Sequence, residues 1–114
     1  MNVVAVFDDL LLGSNVLGML RAAGHDATLT DGADVQTADV QVLVVDLGAT
    51  GFDGVAIVER LRAEGALEGV RTLGVYSHVD AATKSRAEAA GFDLVVPRSR
   101  MAREGAALIE RFAV

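Results

Sequence analysis

Five positions in this 114-residue chain carry side chains that could act together chemically: the pair Asp8-Asp9, then Asp46, Ser77 and Arg98. The acids follow runs of β-formers, Val3-Val4-Ala5-Val6-Phe7 before the pair and Val42-Leu43-Val44-Val45 before Asp46. Three carboxylates brought close repel one another unless a cation shares them. Oxygen ligands with neither His nor Cys among them select a hard ion, and one that keeps several waters fits Mg2+. A divalent ion beside a guanidinium and a hydroxyl donor makes a receptor for a phosphoryl group. In such a site Asp46 would attack a phosphoryl donor in line. The ion would offset the developing charge, and Ser77 and Arg98 would hold the phosphoryl oxygens.

The elements that must position these groups can be read from the spacing of apolar residues. Four unbroken β-formers ending on Asp46 predict a strand buried on both faces, as at the centre of a parallel sheet. A glycine-bearing loop then leads into Val55-Ala56-Ile57-Val58-Glu59-Arg60-Leu61-Arg62, whose spacing is helical. Ligand groups of open α/β sheets collect at the C-terminal ends of strands, where Asp46 sits.

Val3 to Phe7 predicts a second such strand. Ser14 to Ala23 predicts a helix with Val16, Leu17, Leu20 and Ala23 on one face and Gly24 as its stop. Leu10-Leu11-Leu12 predicts a helix that starts early and buries two of the three leucines, the other reading being an exposed patch for a partner. Asp26 to Thr30 is a short strand suited to a sheet edge. Residues 31–41 turn polar, with Val35 and Val40 their only large apolar residues, which leaves one or two turns in place of a crossover helix.

Thr72 to Tyr76 forms the next strand and runs into Ser77 and His78. Asp80 can cap a helix from Ala81 to Ala90, packed thinly through Ala82, Ala87 and Ala90 and stopped by Gly91. Leu94-Val95-Val96 leads to Pro97 and Arg98, and Ser99 can cap a last helix with Met101, Leu108, Ile109 and Phe112 at core spacing. With right-handed crossovers this βα pattern predicts a doubly wound α/β fold: five parallel strands in the order 2-1-3-4-5, helices on both faces, and the second crossover helix short or missing. Asp8, Asp9, Asp46, Ser77 and Arg98 then share one sheet edge.

Bulk properties narrow the function. The length suits one domain over residues 1–114, and 52% apolar with 23% charged residues is an ordinary globular balance. No apolar run approaches a membrane span, and no basic stretch precedes the first hydrophobic residues. A chain that stays where it is made, in the cytoplasm, is expected. The absence of cysteine removes disulfides, thiol catalysis and thiolate metal sites, and agrees with that compartment. A net charge of −6, with four Phe, one Tyr and no Trp, argues against nucleic acid or an anionic membrane surface as partner.

Over nearly its full length the chain resembles a bacterial two-component response-regulator receiver domain. Asp8-Asp9 matches the acidic pair that follows the family's first strand. Asp46 through Asp53-Gly54 matches the phosphoacceptor and its loop, with Thr50 where the family usually has proline. Ser77 matches the Thr/Ser that ends strand four, Gly91-Phe92-Asp93 the Gly-Ala-Asp before strand five, and Arg98 falls where the family has lysine. The resemblance implies a flavodoxin-like fold and Mg2+ held by Asp8, Asp9, Asp46 and the Gly48 carbonyl. It implies phosphorylation of Asp46 by a sensor histidine kinase or phosphotransfer protein, and a change in a surface that meets a downstream protein. The expected state is monomer or weak homodimer, and the expected activity is no more than self-catalysed phosphoryl transfer and dephosphorylation. With the sequence ending at Val114, a stand-alone receiver is expected.

Departures from the pattern support a second reading, a pseudo-receiver that keeps the fold as a protein-interaction module. Arg98 has a planar fork bulkier than the compact charge of lysine. Ser99 replaces the proline that permits a cis peptide, and a cis bond before a non-proline costs about 2.5–4 kcal/mol, so a trans Arg98–Ser99 bond is expected. His78 stands at a position usually small, where it could gate access to Asp46. A small hydrolase or transferase is disfavoured, because beyond His78 no second general acid or base is evident. The side formed by the fourth strand, its helix, the fifth strand and the last helix is the expected output surface, with Lys84, Arg86, Glu88, Arg100 and Arg103 facing outward.

Overall fold

The unbroken apolar runs all become strands, and they pair side by side. A computed structural model describes residues 1–77 and 80–113; His78, the expected gate, lies outside them. Strands β1 (Asn2–Val6), β2 (Asp26–Thr30), β3 (Val42–Asp46), β4 (Arg71–Tyr76) and β5 (Leu94–Pro97) form one sheet in the order β2-β1-β3-β4-β5. All neighbouring pairs are parallel. β3 is central and every one of its five residues is buried, which is why its sequence carries no alternation. β2 takes the edge, as its weaker apolar content predicts.

Four helices complete the chain: α1 (Leu10–Ala22), α2 (Gly54–Ala63), α3 (Ala81–Ala89) and α4 (Arg98–Glu110). The sheet separates two cores. One gathers Phe7, Val16, Leu20, Val44, Val96, Met101 and Ile109 under α1 and α4. The other gathers Leu43, Val45, Val55, Val58, Leu61, Ala87 and Phe92 under α2 and α3. Gly24 and Gly91 stop α1 and α3 in the left-handed conformation that only glycine adopts without strain, at φ 93° and 91°.

Residues 31–41 contain bends and a turn but no helix, as their composition predicts. Val35 alone of that segment is buried and, with the partly buried Val40, covers the second core where a crossover helix would lie.

Four local expectations are corrected. The first helix does begin early, but Leu10 and Leu11 stand 74% exposed and only Leu12 is partly buried, because residues 10 and 11 fall on the outer side of the first turn. Ala23 and Ala82 are likewise exposed, and α3 is anchored by Ala87 with Ala90 only half-buried. Ser99 does not cap α4: the helix starts one residue earlier, with Pro97 at the cap position and no side-chain cap bond. Pro97 holds the extended backbone of a cap residue, and Ser99 falls inside the first turn, where it cannot serve as the cap. Arg98 consequently belongs to the first turn of α4 instead of a loop. Its peptide bond to Ser99 is trans, since the structure has no cis bond.

Candidate functional site

All five chemical positions lie at or just past the C-terminal ends of β1, β3, β4 and β5, on one edge of one sheet. Asp46 is its centre. The carboxylate is fully buried, at the end of a strand whose other four residues are all apolar and buried. Burial at that cost requires partners. Arg98 Nη2 donates to Asp46 Oδ1 at 3.1 Å and to Oδ2 at 2.9 Å, so a single nitrogen straddles both oxygens. The Gly48 amide adds a third bond to Oδ1 at 3.0 Å. Register explains how Arg98 arrives, since Asp46 faces Val75 across β4 and Tyr76 faces Pro97 across β5. The residue after Pro97 therefore projects from the strand next but one to Asp46.

Gly48 has a further role. A Cβ there would lie 2.9 Å from Arg98 Nη2 and 3.4 Å from its Cζ, so a side chain at this position would crowd the guanidinium in its present place. Arg98 Nε is buried and, among the described residues, has no hydrogen-bond partner.

The other two acids face elsewhere. Asp8 Oδ2 accepts from the Gly51 amide at 2.7 Å, which ties the end of β1 to the loop between β3 and α2. Asp9 is the N-cap of α1, its Oδ1 accepting from the amides of Leu11 and Leu12 at 3.0 and 3.1 Å. Ser77 is half-buried just past β4, and its carbonyl accepts from the Asp80 amide at 3.0 Å.

The expected Mg2+ set of Asp8, Asp9, Asp46 and the Gly48 carbonyl can be tested against these bonds. A divalent ion needs carboxylate oxygens turned toward one point. Among the described residues no three acidic or histidine side chains gather in that way. Asp46 has both oxygens on Arg98, while Asp8 and Asp9 each give one oxygen to backbone amides. As arranged, these residues do not fit a divalent cation.

One contact beside the site and one at the opposite edge of the sheet escaped the sequence reading. Arg86 on α3 donates to Asp53 Oδ2 at 2.7 Å, while Asp53 Oδ1 caps α2 through the Ala56 amide at 3.1 Å. The Arg86 hydrogen bond is the main reason the Asp53 carboxyl sits below its ordinary value; the cap amides add to this and burial opposes it. Arg86 is therefore not free for a partner, and Arg100 and Arg103 both reach Glu104, at 3.4 and 3.8 Å. The expected charged face is largely paired within the chain. The second contact joins Asp93 to the buried Thr72, with Oδ2 accepting from the Thr72 amide at 2.8 Å and its hydroxyl at 3.1 Å. The Asp in Gly91-Phe92-Asp93 marked that position; nothing in the sequence marked the Arg86–Asp53 pair.

No protein-family model and no curated protein matches the sequence. Solved structures do match its shape. The receiver domain of the Francisella response regulator 1452 superposes with a TM-score of 0.80 at 16% identity, covering 97% of this chain and 94% of that one. The signal receiver domain of NarL from Mycobacterium tuberculosis gives 0.79 at 20% identity, covering 98% and 95%. The fold is that of a response-regulator receiver domain. The receiver fold also recurs inside longer chains: NtrX from Brucella abortus matches with a TM-score of 0.83 at 19% identity over 97% of this chain but 26% of its own. Among the described residues, no helix of this receiver fold is long and apolar enough to cross a membrane.

Proposed function

We propose that this chain is a receiver module of two-component signalling in which Asp46 accepts a phosphoryl group and Arg98 answers the new charge. The observation that carries the reading is the buried Asp46 carboxylate at the end of the central strand, held by Arg98 through both oxygens. A buried acid paired across two strand ends is a two-state element, because changing its charge must move the pair.

In the reaction an Asp46 carboxylate oxygen attacks phosphorus as the bond to the donor's nitrogen or oxygen breaks. The leaving group keeps that electron pair, and Asp46 becomes an acyl phosphate. Arg98, whose Nε–H has no partner among the described residues, is suited to receive the phosphoryl oxygens, and Ser77 at the end of β4 supplies a hydroxyl from the next strand. The donor class is a phosphohistidine on a sensor kinase or phosphotransfer protein, and the output is a change in the surface offered to a downstream protein. No step is assigned to Mg2+, which these residues do not fit as arranged.

Incubation with acetyl phosphate, with and without Mg2+, should add one phosphoryl group by intact mass, trapped by hydroxylamine and lost in Asp46→Asn. No adduct, together with no spectral response to beryllofluoride, would refute phosphoacceptance.

One observation favours a second reading, a phosphorylation-independent interaction module. With Asp46 at 0% exposure no donor reaches it until Arg98 moves. Under that reading Asp46→Asn leaves partner binding unchanged.

A further inference from the structure

We propose that Arg98 is the resident cation of the Asp46 site and excludes a divalent ion from it for as long as the guanidinium remains in place. Three features of the surroundings support this. The first is occupancy of the carboxylate: one guanidinium nitrogen bonds both oxygens, the Gly48 amide takes a third bond, and the group is fully buried. An ion approaching Asp46 would lose the lone pairs it needs and meet a like charge within contact distance.

The second is the shape of the seat. At Gly48 the absent Cβ would stand only 2.9 Å from Nη2, so the guanidinium packs directly against the backbone and a methyl group there would crowd it.

The third is the cost of keeping Arg98 there. A positive side chain in the first turn of α4 opposes the helix dipole, and its buried Nε–H has no partner among the described residues. The pairing with Asp46 must outweigh both. Meanwhile Asp8 gives one oxygen to the Gly51 amide in the β3–α2 loop and Asp9 gives one to the amides that start α1, so neither is turned wholly toward Asp46.

Cation exclusion of this kind follows from the contacts around Asp46, whether or not Asp46 is ever phosphorylated. It is tested by binding alone, on the full chain, with Mn2+ as the probe read by paramagnetic broadening of amide resonances and Mg2+ titrated in competition. The native protein should show no broadening confined to Asp8, Asp9 and Asp46 at millimolar Mn2+. Arg98→Ala should gain such binding, about tenfold tighter or more, within the about 5–150-fold range of typical coupling between two sites.

Gly48→Ala serves as a second variant that keeps every charge, and it should gain binding in the same direction because its methyl group unseats the guanidinium. It also gives the result if Arg98→Ala does not fold. Native protein that binds Mn2+ at the site as tightly as either variant would overturn the proposal. So would variants that fold and still bind nothing, since Arg98 would then not be what keeps the ion out. Acetyl phosphate plays no part in these measurements, so their failure and a failure of phosphoacceptance are told apart.

Discussion

Arg86 on α3 and Asp53 at the cap of α2 are joined by a 2.7 Å hydrogen bond, which links the loop after Asp46 to the helix after Ser77. α3 otherwise buries only Ala87 completely, and an alanine contributes little burial energy. The pair is therefore a main tether of a thinly packed helix. Arg86→Gln should raise hydrogen exchange across residues 81–89 while leaving β3 protected. Unchanged exchange in α3 would show that the tether is incidental.

The same pair sets a pH dependence. Asp53 is depressed from its ordinary value of 3.8 in the folded protein, chiefly by the Arg86 hydrogen bond. The folded state therefore binds this proton less readily than the unfolded state. The stability it contributes is complete above about pH 5 and is lost as pH falls through 3.8 and then the lower folded value. Urea melts at descending pH should show a smaller acid loss in Arg86→Gln than in the native chain. Parallel curves would argue against the pairing in solution.

Arg98→Ala strands a carboxylate at 0% exposure, and loss of one partner from a buried ion pair costs about 3–5 kcal/mol. Arg98 is itself 37% exposed, so water can follow it out, and the lower end of that range is expected. Combining it with Asp46→Asn should recover much of the loss, because the stranded charge is gone. Equal destabilisation in the single and double variants, by urea midpoint, would contradict this.

Asp93→Ala removes the acceptor for both the amide and hydroxyl of Thr72, which is fully buried. A buried donor left without a partner costs about 1–3 kcal/mol. Thermal unfolding should shift down accordingly, and adding Thr72→Val should restore part of it by deleting the hydroxyl.

Gly54→Ala places a Cβ 2.6 Å from Val45 Cγ1 and 3.2 Å from the Asp46 carbonyl oxygen, atoms with little room to move. Overpacking of about 1–3 kcal/mol should exceed the roughly 1 kcal/mol gain in helix propensity. Gly105→Ala instead meets the flexible ends of Met19 and Met101, which can turn aside. Gly54→Ala should therefore be the more destabilising of the two in urea, and the reverse order would undo this packing account.

Asp46 ends a run of β-formers and Gly24 and Gly91 end helices, and such local patterns determined the strands, the missing crossover helix and the strand order. Burial leaves a periodic trace in the chain, and handedness rules convert that trace into topology. The pattern likewise put Asp8, Asp9, Asp46, Ser77 and Arg98 at one sheet edge, because each follows a recognisable strand. Only the tertiary structure decided what those groups touch. Asp9 went to a helix cap and Asp8 to the Gly51 amide, 43 residues away. Asp46 went to Arg98 across 52 residues, and Asp53 to Arg86 across 33. The exposure of Leu10 and Leu11 was decided there too, by how α1 turns at its first residue. Periodicity records which side of an element is buried. It carries no record of which of several carboxylates takes a given amide or guanidinium, since that depends on distances of a few ångströms set by the packed sheet.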